Sequence, residues 1–259
     1  MSDLLEAYAG NGLEDVQEAT AWLKIASRNS DTMNPKKAAY IADLKEGQWY
    51  NSVSGKVYGE KMEVIVLDKI KRYVISKPAR TPKDLPEVVG YATAIDPSWA
   101  RATPQSPLET REGYTVSCEF IFLLVEKNNL SEPLFLTLRK TGTFAAIVWE
   151  RKMKAAKLAS GASAPIFGRV WSLEPTYVEN DRGSWYSLVK DKDVYIFDKG
   201  NIPDSLVEAA IETFESVKSA KVLEGFCAAQ VARLNGATGA IEAPRSAKQL
   251  ELFEDGVEV

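Results

Sequence analysis

The run Met62-Glu63-Val64-Ile65-Val66-Leu67-Asp68-Lys69-Ile70-Lys71-Arg72-Tyr73-Val74-Ile75 decides the fold more than any other stretch. Its β-branched and aromatic residues predict one long strand, bent or bulged near Asp68. Downstream, Tyr114 to Val125 and Leu134 to Thr141 are two further strands, with Asn128 to Pro133 as the hairpin loop between them. A helix is predicted from about Thr143 to Ala159, with Phe144, Ile147, Val148, Met153 and Leu158 on its apolar side and Gly161 just past its end. Two closing strands follow, Ile166 to Val178 and Ser184 to Val189, turned by Asn180-Asp181-Arg182-Gly183. Upstream, Gln48 to Val53 reads as a short strand.

A helix between a long central strand pair and a closing hairpin is the order of a five-stranded Greek-key barrel of the OB type. The expected fold class is therefore α+β, an OB-like barrel with added N- and C-terminal helices, although other α+β domains can be written in the same order. Residues 1–40 form a helical extension in this reading, because Leu13, Val16, Leu23 and Ala26 recur at helical spacing and Asn34-Pro35 marks a boundary. Residues 41–200 are the barrel, with an insertion at 76–113 that holds six of the twelve prolines. Residues 201–235 are helices packed on the barrel, and 236–259 are a flexible acidic tail.

Composition bounds the chemistry. The chain has 259 residues, 45% of them apolar, and no histidine. Without histidine there is no Ser-His-Asp or Cys-His catalysis and no His-ligated zinc. No P-loop and no GxSxG elbow occurs, so neither an enzyme nor a cofactor is expected. Cys118 sits in an apolar run, which predicts a buried free thiol, a disulfide with Cys227 being the other possibility. The first residues, Met1 to Glu6, do not read as an export signal. The longest strongly apolar run, Phe120 to Val125, is far short of a membrane span, so a cytoplasmic protein with no membrane partner is expected. Asp191 and Asp193 place two carboxylates two apart, as a metal-dependent nuclease could use; a charged turn is the plainer reading.

Aromatic and basic residues interleave on the predicted strands. Alternation puts Lys69, Lys71 and Tyr73 on one strand face, with Arg72 between them. It puts Phe135 and Arg139 together on a second strand, and Phe167, Arg169 and Trp171 together on a third. Trp185 begins the last strand directly after the Arg182 turn. Rings that stack on bases and cations that neutralise phosphates are what a single-strand-binding surface needs. The same rings could instead be core. The net charge of −4 argues against bulk attraction to a polyanion, but residues 249–259 hold four acids and no base, so the rest of the chain is neutral. That tail carries Glu251, Phe253, Glu254 and Asp255, an acidic segment with an apolar anchor that could hook a partner or regulate binding.

The runs Gly47 to Ile65 with Arg72-Tyr73, Pro165 to Trp171 and Asn180 to Tyr186 resemble phage-encoded single-stranded-DNA-binding proteins of OB type. The acidic, Phe-bearing tail is similar to the tails of such proteins. The resemblance implies an OB fold, sequence-tolerant binding of single strands in replication or recombination, no catalysis, and recruitment of replication or recombination proteins by the tail. It places binding at Tyr73, Arg139, Arg169, Trp171 and Trp185. The rival reading is a phage structural or assembly protein that does not bind nucleic acid.

Overall fold

The computed structural model describes residues 21–28, 30–77, 87–92, 108–109, 114–139, 141–158, 160–181 and 183–237. The helix expected before residue 21, most of the proline-rich insertion, Arg182 and the acidic tail lie outside them.

The long strand exists, and it organises everything else. Strand β4 (Met62–Lys77) runs antiparallel to β7 (Thr115–Glu126) from Val64 opposite Glu126 to Ser76 opposite Thr115. Their register slips between Val66 and Asp68, at the expected bulge. One extra residue reverses which face each later side chain meets. Val64 and Val66 share a cluster with Tyr73, whereas Ile65 and Leu67 share the other with Ile70.

Neighbours differ at the two ends of this pair. Strand β8 (Asn129–Arg139) adds to β7, and β9 (Arg169–Leu173) to the first half of β4. Strand β14 (Ile196–Asn201) adds to β9. At the other end β5 (Glu87–Ala92) pairs with β4, and β6 (Leu108–Glu109) with β7. The result is a seven-stranded antiparallel sheet. Three small pieces surround it. Strands β1 (Leu23–Ile25), β2 (Trp49–Asn51) and β3 (Val57–Gly59) make one sheet. The hairpins β10–β11 (Thr176–Asn180, Gly183–Ser187) and β12–β13 (Val189–Lys190, Asp193–Val194) make the others.

Both faces of the large sheet are covered. Helix α1 (Thr141–Ala155) lays Ala145, Ala146 and Trp149 on one face, where Leu23 and Trp49 of the small sheet also pack. Helices α2 (Asp204–Ser219) and α3 (Val222–Ala237) cover the other, with Ala210, Val217, Leu223 and Phe226 against Ile121, Leu123 and Val125. A strand buried on both sides has no polar face to alternate with, hence the unbroken apolar run Phe120 to Val125. Cys118 and Cys227 are free, buried thiols in opposite layers, and burial pushes both above the ordinary thiol range. No helix among the described residues is long and apolar enough to cross a membrane.

The expected OB-like barrel is not formed. The helix does fall between β8 and β9, but the sheet stays open, and no described pairing joins its outer strands β8 and β14. Other elements fill the gap. The main-chain N–H of Phe135 on β8 donates to Ala21 O at 2.9 Å. Trp49 Nε1 donates to Leu173 O at 3.1 Å, and Lys152 Nζ on α1 to Ile196 O at 2.7 Å. The molecule is mostly β, built of several sheets with none closed.

Two local expectations also change. Leu23 to Ile25 is a strand, because its backbone pairs with Trp49 to Asn51, and that outweighs the helical spacing of its apolar residues. On helix α1 the expected Ile147 and Met153 do pack against the core, but the buried positions are Thr143, Ala145, Ala146 and Trp149, and Phe144 is 37% exposed. Ala145 and Ala146 let the helix approach the sheet closely enough for Trp149 to stack on Phe122, ring centroids 4.6 Å apart.

Candidate nucleic-acid interface

Most of the rings chosen on sequence are inside the protein. Trp171 is 0% exposed, Tyr73 1% and Phe135 6%. Trp171 stands edge-on to Trp149 at 6.1 Å, and Phe135 packs on Phe226 at 4.8 Å. Phe167 is half-buried against Phe214 of α2, also at 4.8 Å. In this conformation Trp171, Tyr73 and Phe135 cannot stack on a base, and Phe167 is engaged by Phe214. Phe167 precedes β9 and packs in the α2–α3 layer, whereas Trp171 packs in the α1 layer, so the expected grouping of these two rings on one face is not formed, and both layers are covered.

Several of the cations have structural work. Arg169 holds β9 to β14: its Nε and Nη2 donate to the two carboxylate oxygens of Asp198 at 3.1 and 2.6 Å, and Nη1 to Asn201 Oδ1 at 2.7 Å. Lys69 is ion-paired with Glu150 of α1. Arg72 is buried, ion-paired with Glu119, and its guanidinium lies 3.9 Å from the Tyr91 ring centroid. Burial raises the Tyr91 phenol above its usual range against the pull of Arg72. Lys71 is exposed, with its ammonium 5.4 Å from the Tyr73 ring centroid. Tyr73, Arg139, Arg169 and Trp171 therefore do not share one exposed concave face.

Arg139 and Trp185 do come together. Both line a cleft of about 350 Å³. Among the described residues the N-terminal segment bridges to β8 at Trp22–Phe135 and then turns to pair with β2, which leaves the cleft beside it. Past Phe135, no described strand pairs with the outer edge of β8 as far as Arg139, and α1 begins at Thr141. The floor is apolar, from Leu23, Leu136 and Leu138. Lys24 and Arg139 are exposed on its border, and no described carboxylate lies within ion-pair distance of Lys24. Thr141 and Gly142 bring the start of α1 to the same rim, and the first turn of that helix has no acid. Exposed helix N-terminal N–H groups favour anions.

The roof is the β10–β11 hairpin. Trp185 is partly exposed, opposite Val178, and Tyr186 meets the ring of Tyr177 edge-on at 5.6 Å. Tyr186 is held in turn by the loop before β2. Gly47 has φ +84°, and a Cβ there would lie 2.4 Å from Tyr186 Cε1. Gly47→Ala is expected to lower stability by about 1–3 kcal/mol, from overpacking and a disfavoured backbone angle. A urea titration reads this as a lower midpoint, and an unchanged midpoint would mean that the hairpin is not seated on this loop.

Sequence reasoning missed Lys24, Tyr186 and the helix start. Lys24 lay in a stretch read as helical, and Tyr186 neighbours the chosen Trp185. Asp191 and Asp193 sit at the turn of β12–β13, and among the described residues no group of three potential metal-ligating side chains occurs.

A family model described as Pam3 phage gp34-like protein matches residues 3–223. No curated protein matches the chain. No solved structure matches it either.

Proposed function

We propose that this chain, which belongs to the Pam3 phage gp34-like protein family and so is a phage protein, binds single-stranded DNA without catalysis at the cleft between β8 and the β10–β11 hairpin. One observation carries the reading: a partly exposed ring, Trp185, and two exposed cations, Arg139 and Lys24, border one open cleft. The ring stacks on a base, the cations neutralise phosphates on either side, and little in the site selects among bases. The setting would be phage DNA replication or recombination, with residues 249–259 regulating binding or recruiting proteins of those processes.

Fluorescence anisotropy with a labelled oligo-dT strand tests this. Two phosphate contacts predict a slope of log affinity against log salt of about −1.4. Trp185→Ala is expected to weaken binding roughly 5- to 150-fold, from the loss of about 1–3 kcal/mol of stacking. Absence of salt-sensitive binding at micromolar protein would sink the reading. That outcome would favour a second reading, a non-catalytic phage structural or assembly protein, which the burial of Tyr73, Phe135 and Trp171 supports.

A further inference from the structure

Three charges line up across the middle of the large sheet. Arg72 on β4 is directly opposite Glu119 on β7, and Glu119 is directly opposite Arg139 on β8. Glu119 is completely buried and ion-paired with both arginines. Arg72 is 1% exposed, whereas the Arg139 side chain is 48% exposed at the cleft. Arg72 donates from Nε to Glu119 Oε2, whereas Arg139 approaches Oε1 with its Nε as an ion pair without hydrogen-bond geometry.

We propose that Glu119 is a positioning residue for the cleft, holding Arg139 by its Nε so that the Nη1–Nη2 fork faces a bound phosphate. This rests on the DNA-binding reading and names how that site is built. An arginine tied through Nε keeps its two terminal nitrogens available for bidentate contact with a phosphate. It is also ordered before the ligand arrives, so less side-chain freedom is lost on binding. Glu119 is suited to this because a fully buried carboxylate cannot swing away into solvent.

A carboxylate beside a phosphate-binding arginine would ordinarily compete with the phosphate. Arg72 removes that objection. Its buried positive charge balances Glu119, so the triad carries one net positive charge, and that charge is presented at Arg139. The Arg72 guanidinium is engaged both by Glu119 and by the Tyr91 ring, so it is held beside the carboxylate.

The test uses the full chain, a labelled oligo-dT strand and the anisotropy assay. Arg139→Lys keeps the charge but loses the fork and the Nε tether. It is expected to bind several-fold more weakly, with the salt slope unchanged. The double variant Arg72→Met/Glu119→Leu removes one positive and one negative charge, so the net charge stays the same while Arg139 loses its anchor. It is expected to fall to the affinity of Arg139→Lys, and adding Arg139→Lys to it should cost nothing more.

A folded double variant with wild-type affinity would overturn the proposal. So would additive losses in the triple variant. If the double variant does not fold, Arg139→Lys decides alone: affinity equal to wild type overturns the proposal. Failure of the DNA reading looks different, because the wild-type chain itself would then show no salt-sensitive binding, and the positioning role would fall with it.

Discussion

Trp171→Ala is expected to destabilise the fold by about 3–5 kcal/mol, the usual cost of truncating a buried tryptophan, and to leave oligo-dT affinity of the folded protein unchanged. Trp171 is 0% exposed, in the β9 strand opposite Val64 of β4. It closes a row of rings in which Trp149 meets it edge-on at 6.1 Å and Phe122 stacks on Trp149 at 4.6 Å. Alanine would leave a cavity between α1 and the sheet, where the elements are tied on several sides and cannot collapse far. Its Nε1 has no hydrogen-bond partner among the described residues, so Trp171→Phe, which keeps much of the volume and removes that donor, should cost clearly less. Urea denaturation measures both. A change within about 0.5 kcal/mol, the range of surface substitutions, together with weaker DNA binding, would return Trp171 to the interface.

The second large effect lies in the charged row. Glu119→Leu alone removes the shared carboxylate and leaves Arg72 charged and 1% exposed with no counterion, which is expected to cost about 3–5 kcal/mol. Adding Arg72→Met should recover most of that loss, since a well-packed apolar pair often matches a buried ion pair. The two stabilities therefore should not add, and the difference is read from denaturant midpoints of the two single variants and the double. Additive losses would mean that the residues do not act as a pair. The same double variant serves the binding experiment, so stability and affinity can be compared on one protein.

These two cases show where sequence reasoning reached and where it stopped. The strands β4, β7 and β8, the bulge near Asp68, the helix after β8 and the turn from Asn180 to Gly183 follow from local pattern, and each is in place. Closure of a barrel is a different kind of question. It depends on whether β8 meets β14, and that is decided by distant chain: Ala21 and Trp22 against Phe135, and Trp49 against Leu173. The assignment of rings failed for a related reason. Period two puts Phe167, Arg169 and Trp171 on one side, but β9 begins only at Arg169, so Phe167 packs in the opposite layer from Trp171, and periodicity does not show whether either side is covered. Here α1 covers one layer and α2 with α3 the other, so a ring on either side of the central strands is enclosed.

Arg139 and Trp185 escape this because neither lies in the covered middle of the large sheet. Arg139 is the last residue of β8, at the entry to α1, and Trp185 is on a two-stranded hairpin outside the large sheet. No pattern within one strand marks that difference, since it comes from where neighbouring strands stop. Lys24 was hidden similarly: its role at the cleft appears only once Leu23 to Ile25 is recognised as a strand.

The cleft is the centre of the account, and photocrosslinking tests it most directly. A thymine-rich single strand is irradiated with the full chain, and the modified residues are mapped by peptide mass spectrometry. The account predicts crosslinks at Trp185 or Tyr186, reduced by high salt and by loss of the charges at Arg139 and Lys24. Crosslinks confined to residues away from the cleft, or none at concentrations where the strand is bound, would contradict it.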